Sequence, residues 1–283
     1  MKLRSLLFVP GDRPDRIGKA LGTRADALIL DLEDSVAPAA KAEARRAVSE
    51  ALSADNSRRT KPLFVRVNPL DSEQIEADLD AILPWHVDGI VLPKAEGGAC
   101  VDDLAARLSA RGNAGTVILP IATETPAAIF ALGTYQGAKR LIGLTWGAED
   151  LPAAIGAATS READGRYTPP YELARSLCLF GAAAAGVAAI ETIYPAFRDL
   201  DGLAAYAGRA RRDGFSGMMA IHPDQLETIN AAFTPSAEEI AHAEAVVAAF
   251  AANPGAGALS LDGKMIDRPH FLQAQRILAA VTS

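Results

Sequence analysis

Short, continuous apolar runs alternate along the 283-residue chain with longer stretches in which apolar residues recur every three or four positions. The runs fall at residues 5–9, 27–32, 63–68, 89–93, 117–123, 140–146, 188–194 and 217–222. Most lack the in–out alternation of a half-exposed strand, which predicts parallel strands buried on both faces. The intervening stretches, such as 38–53, 72–83 and 102–111, carry helical periodicity. Strand and helix alternating in this way, with no glycine-rich dinucleotide turn, predict an α/β fold closed as a (β/α)8 TIM barrel. Helical stretches at 224–233 and 237–252, a Pro254-Gly255-Ala256-Gly257 break and a compact Asp262-Gly263-Lys264-Met265-Ile266-Asp267 motif then exceed what eight units need. The expected organisation is a barrel over residues 1–233 and a C-terminal helical extension over residues 234–283.

Polar residues gather just after the predicted strands. Examples are Asp31-Leu32-Glu33-Asp34, Arg66-Val67-Asn68, Pro93-Lys94, Thr123-Glu124-Thr125, Gly147-Ala148-Glu149-Asp150 and His222-Pro223. In a closed barrel these positions form the C-terminal mouth, where active sites are built.

Composition narrows the function. The formal net charge of −7, with no Lys/Arg-rich block, excludes a dedicated phosphate-backbone binder. Aromatics at 6 % offer no stacking platform for single strands, so no nucleic-acid partner is expected. The cluster Arg209-Ala210-Arg211-Arg212 reads as a solvated helix face. Cys100 and Cys178 have no metal-type spacing and fit a reducing, cytoplasmic compartment. The apolar run 6–9 is too short for a signal-peptide core, and the Ala/Gly-rich stretch 179–190 is too short to span a bilayer. No membrane partner is expected.

Glu124 and Asp150 each follow a predicted strand, in loops five and six of the barrel, where neighbouring strands could bring the two carboxylates together. Two carboxylates completed by substrate oxygens and water are a common way to hold Mg²⁺. The competing reading is a helix N-cap or an acid in a first helical turn, because Thr125-Pro126 is a good helix start. Arg66, ending its strand, suits a bidentate carboxylate clamp or a developing oxyanion, or equally a salt bridge with Asp31, Glu33 or Asp34. Lys94 suits a Schiff base or a charged, paired lysine; the neighbouring carboxylates favour the pair. The opening Pro10-Gly11-Asp12-Arg13-Pro14-Asp15-Arg16-Ile17-Gly18-Lys19 joins a strand to a helix with glycine and cations, but is neither a Walker A nor a GxGxxG turn. None of His86, His222, His242 and His270 has metal-pair spacing, and His222 is as readily structural as catalytic.

In this order the clusters resemble the citrate lyase β-subunit family of citryl-, malyl- and citramalyl-thioester lyases. The matching stretches run from Arg4-Ser5-Leu6-Leu7-Phe8-Val9-Pro10-Gly11-Asp12-Arg13-Pro14 through Leu30-Asp31-Leu32-Glu33-Asp34, Val65-Arg66-Val67-Asn68 and Trp146-Gly147-Ala148-Glu149-Asp150-Leu151 to Ile221-His222-Pro223 and the motif 262–267. The resemblance implies a carbon–carbon lyase that cleaves or forms a 3-hydroxyacyl thioester, with Mg²⁺ or Mn²⁺ on Glu124 and Asp150. It places Arg66 at the substrate carboxylate or enolate. It makes Asp267 the acid/base, delivered by the extension into a neighbouring subunit of a homo-oligomer, often a trimer. It sets Arg13 and Lys19 near the CoA or carrier arm. Departures from the family pattern are Glu191 where many members have Asp after Ala-Ile, Met218 where many have Lys after Gly, and Pro126 after Glu124-Thr125. Two rival roles are an aldolase of 4-hydroxy-2-oxo acids that needs no thioester, and a β-subunit served by an acyl carrier protein.

Overall fold

The structure, a computed structural model, describes residues 1–53 and 61–282. Eight parallel strands form its centre: β1 Ser5–Pro10, β2 Ala27–Asp31, β3 Leu63–Arg66, β4 Gly89–Leu92, β5 Val117–Pro120, β6 Gly143–Thr145, β7 Ala188–Glu191 and β8 Gly217–Ala220. The sheet order is β5-β4-β3-β2-β1-β8-β7-β6. Its two ends meet: Ile118 N–H donates to Arg140 O at 2.8 Å, Ile142 N–H to Ile118 O at 3.0 Å, and Ala122 N–H to Thr145 O at 2.8 Å. The expected TIM barrel is therefore present.

Helices alternate with the strands as α1 Pro14–Leu21, α2 Lys41–Ser53, α3 Ile75–Ile82, α4 Gly98–Ala110, α5 Pro126–Ala131, α6 Asp150–Ile155, α7 Pro169–Ala185, α8 Leu200–Asp213 and α9 Leu226–Ala232. Local chemistry sets their ends. Proline opens α1, α5 and α7, where its missing N–H costs nothing. Gly156 and Gly186 close α6 and α7 in the left-handed conformation. The barrel interior is filled by Leu6, Ile29, Phe64, Val91, Leu119, Ile190 and Met219, and a larger apolar layer joins strands to helices. Interior space is tight: a Cβ on Gly89 would stand 2.2 Å from the Phe64 ring.

Strands β3, β5, β7 and β8 end two or three residues short of the apolar runs that predict them. The apolar pattern continues because Val67, Ile121 and Ala122 stay buried past the strand ends. Backbone bonding also runs past the strand ends, with the Ile121 amide donating to Leu92 O at 2.8 Å and the Ala122 amide to Thr145 O at 2.8 Å, so the apolar pattern follows burial further than the regular ladder. After Phe233 the chain forms α10 Ala237–Ala252, a hairpin of β9 Ala258–Leu261 and β10 Lys264–Asp267, and α11 Arg268–Thr282. Ala243, Val246, Ile266 and Ala274 give this segment a small core of its own. Arg211 on α8 ties α10 to the barrel through Glu239 at 2.8 Å. Among the described residues no helix is long and apolar enough to cross a membrane.

Candidate active site

The strand ends converge on a cavity of about 460 Å³ at the barrel mouth, and Arg66, Glu124 and Asp150 all line it. Arg66 is mostly buried. Its Nε and Nη2 each donate to Asp31 at 2.7 Å, and Nη1 lies 2.8 Å from Glu33 Oε2 in an ion contact without hydrogen-bond alignment. Burial works against both charges of the Arg66–Asp31 pair, yet the bidentate contact outweighs it: Asp31 is held below the usual carboxylate range and Arg66 above its own. The salt-bridge reading of Arg66 is thus correct, and the residue still lines the cavity. A guanidinium carries five N–H donors, so Nη1 and Nη2 retain donors for a ligand. Phe8 lies beneath the guanidinium, 4.9 Å from carbon to ring centre.

Glu124 is only 4 % exposed, and Thr125, not Glu124, caps α5, so the helix-cap reading of Glu124 fails. One of its oxygens, Oε2, accepts the Lys94 amide at 2.6 Å. Burial, with Glu33 and Asp150 nearby, pushes the Glu124 carboxyl up to about 8 despite that hydrogen bond. Gly147 makes room for it, since a Cβ there would meet Glu124 Cγ at 2.7 Å and Oε1 at 3.1 Å. Asp150 opens α6 with its side chain 35 % exposed. Lys94 Nζ bonds Glu33 Oε1 at 2.8 Å and lies 3.6 Å from Asp150 Oδ1. This charged pairing leaves no free amine for a Schiff base.

Among the described residues no three His, Cys, Asp or Glu side chains group as a metal cage. The hard donors Glu124 and Asp150 instead fit a cation that keeps open positions for substrate and water, as Mg²⁺ does. Burial penalises the ionised form of Glu124, and its Oε1 has no hydrogen-bond donor among the described residues, so a bound cation would offset that penalty.

Other expected residues stand elsewhere. Arg13 and Lys19 do not line the cavity; Arg16, one helical turn from each, does. Arg13 lies 3.6 Å from Asp12. Among the described residues none beyond Ile221 lines the cavity, so Asp267 is outside it in the single chain. Asp267 ends β10, with Oδ1 2.5 Å from His270 Nδ1. Asp262 and Gly263 are the hairpin turn, at φ +50° and +75°; the Asp-Gly pair between apolar residues was the sequence signal for that hairpin. His222 caps a short 3₁₀ turn with Gln225 and stacks on Phe197, a structural role. Arg209 and Arg211 are ion-paired with Glu172 and Glu239 rather than simply solvated.

The Glu191 and Met218 departures lie side by side in the barrel. The two residues are direct partners across β7 and β8. Glu191 is fully buried and takes its cation from α7: Arg175 Nε donates at 2.7 Å. Tyr206 OH at 2.8 Å, the Thr192 amide at 2.9 Å and the Trp146 indole N–H also donate to it. A buried carboxylate needs such a partner set, and Glu191 points none of its charge into the cavity, whose wall begins at Thr192.

The profile of HpcH/HpaI aldolase/citrate lyase matches residues 4–223. The chain belongs to this family. Within it, a (3S)-malyl-CoA thioesterase of Cereibacter sphaeroides is 36 % identical over 282 residues, covering 98 % of this chain and 93 % of that protein. A mitochondrial citramalyl-CoA lyase of Rattus norvegicus is 33 % identical, covering 99 % of this chain and 86 % of that protein. The solved structure of the family protein CitE from Mycobacterium tuberculosis, in complex with magnesium, acetoacetate and coenzyme A, superposes with a TM-score of 0.82 at 34 % identity. It covers 99 % of this chain and 98 % of CitE, so the C-terminal extension is part of the likeness although the family profile stops at residue 223.

Proposed function

We propose that the protein is a cytoplasmic, Mg²⁺-dependent carbon–carbon lyase that cleaves or forms a 3-hydroxyacyl-CoA thioester at the barrel mouth. The observation that carries this reading is Glu124, a carboxylate buried in a mouth cavity beside Asp150 and Arg66. Family membership and the magnesium and coenzyme A of the CitE complex agree with it. Glu124 and Asp150 hold the cation, with Mn²⁺ able to replace Mg²⁺. When bound, the cation supplies Lewis-acid polarisation of the substrate's carboxylate and hydroxyl oxygens.

The remaining donors of Arg66 meet the oxygen on which enolate charge develops. Its fork is fixed by Asp31 before substrate arrives, so no reorganisation is needed at that moment. Asp267 of a neighbouring subunit's extension exchanges the proton of the enolate carbon; its place outside its own chain's cavity supports delivery in trans within a trimer or a multiple of it. Arg16 at the cavity edge, with Arg13 and Lys19 on the same opening turn and helix, receives the phosphates of the CoA arm.

The acyl group carries one carboxylate and a small or apolar C3 substituent, as in malyl or citramalyl rather than citryl. The cavity walls supply Phe8, Ile121, Ile193, Met219 and Ile221. Its cations are Arg16, which is exposed, and Arg66, which acids already partner; a second carboxylate would face Asp31, Asp34 and Glu149. The test is a panel of (S)- and (R)-citramalyl-, malyl- and citryl-CoA, the matching carrier-protein thioesters and free 4-hydroxy-2-oxo acids, each with Mg²⁺ and read by mass spectrometry. Turnover of malyl- or citramalyl-CoA well above citryl-CoA supports the reading. Turnover only of free 4-hydroxy-2-oxo acids, or only of carrier-protein thioesters, replaces it with the corresponding rival.

A further inference from the structure

Lys94 follows β4 with φ at +50°, a left-handed backbone that is unfavourable for a residue with a side chain. That conformation serves two contacts. The amide donates to Glu124 Oε2 at 2.6 Å, and the side chain returns to place Nζ 2.8 Å from Glu33 Oε1 and 3.6 Å from Asp150 Oδ1. One residue therefore touches both members of the carboxylate pair, one through its backbone and the other through its charge. Arg66 does not serve Asp150 in this way, since its contacts are Asp31, Glu33 and Asp34. The Lys94 ammonium is the cation that Glu33 and Asp150 share.

We propose that the Lys94 ammonium is a placeholder cation for Asp150 in the metal-free protein, and gives it up when the divalent ion binds. The proposal rests on Glu124 and Asp150 being the metal pair. Glu33 remains 2.8 Å from Arg66 Nη1, so the ammonium has a second carboxylate on which to stay, and that carboxylate keeps a cation if Lys94 is replaced. The arrangement is a competition: the ammonium and the divalent cation seek the same Asp150 oxygens. Removing the ammonium removes both that competition and a like charge near the incoming ion, so metal affinity rises. A lysine that merely braced Glu33 or the β4 loop would leave affinity unchanged or, by loosening the ligands, lower it.

The experiment is Mn²⁺ binding to the purified full-length protein without substrate, followed by electron paramagnetic resonance at fixed ionic strength. Lys94→Met keeps length and backbone conformation and removes the charge. Lys94→Gly, which adopts positive φ freely and keeps the amide, is the second variant should Met fail to fold. Lys94→Arg restores a cation. The expected result is Mn²⁺ binding about tenfold tighter in Lys94→Met and Lys94→Gly, with Lys94→Arg returning toward wild type. Unchanged or weaker binding in the charge-free variants overturns the proposal while leaving the metal pair standing. Absence of Mn²⁺ binding in wild type overturns the metal pair itself, and the placeholder with it.

Discussion

Replacing Arg66 by lysine separates its two duties. The guanidinium engages Asp31 through two hydrogen bonds of 2.7 Å and Glu33 through an ion contact of 2.8 Å, with only 12 % of the side chain exposed. Lysine preserves the charge but presents its donors from one point, so it cannot reproduce the fork. One charged hydrogen bond to Asp31 survives and the other is lost; at about 1.5–3 kcal/mol for such a bond, plus looser packing on Phe8, urea unfolding should show about 2–4 kcal/mol lost. A domain of this size retains its fold after such a loss if its stability is at the usual level of about 5–15 kcal/mol. Catalysis should suffer more, because the donors on Nη1 and Nη2 no longer point where the enolate oxygen develops. Removal of one preorganised donor typically lowers kcat by about 10²–10³. The assay is steady-state cleavage of malyl- or citramalyl-CoA at saturating Mg²⁺, beside urea titrations followed by circular dichroism. Lower stability with unchanged kcat would refute the catalytic half of the reasoning and leave Arg66 as an ion pair alone.

Glu124→Gln and Asp150→Asn should each raise the Mn²⁺ dissociation constant more than about tenfold by calorimetry; full activity of wild type in excess chelator would contradict the metal assignment. Arg175→Met should cost about 3 kcal/mol in urea unfolding by leaving Glu191 buried without its cation. A loss below about 1 kcal/mol would show that Trp146, Tyr206 and the Thr192 amide suffice. Mixing inactive Arg66→Ala with inactive Asp267→Ala subunits should restore part of the activity after exchange, since some sites then hold both residues; verified mixed oligomers without rescue would confine Asp267 to its own chain.

The barrel was legible because parallel strands buried on both faces must be written as unbroken apolar runs. The same rule hid where the regular strands end: Ile121 and Ala122 are as buried as the strand residues before them. Arg66, Glu124 and Asp150 were legible together because barrel closure carries strand ends to one mouth whatever their separation in sequence. The left-handed turn at Lys94 was not, because no glycine marks it and its reward, the amide bond to Glu124, exists only after β4 and β5 align. Choosing Arg16 over Arg13 and Lys19 needed the rotation of α1, which buries Ile17 and Ala20 and leaves Arg16 at the cavity edge. Glu191 reads in the sequence only as a departure from the family pattern, because its partner Arg175, sixteen residues earlier on α7, meets it only in the fold.

The most direct test of the account is the identity of the products from malyl- or citramalyl-CoA incubated with the pure protein and Mg²⁺. Carbon–carbon cleavage predicts acetyl-CoA together with a 2-oxo acid, formed in equal amounts and abolished by chelator. Free CoA with the intact hydroxy acid, the products expected of a thioesterase, or product formation indifferent to metal, would contradict it.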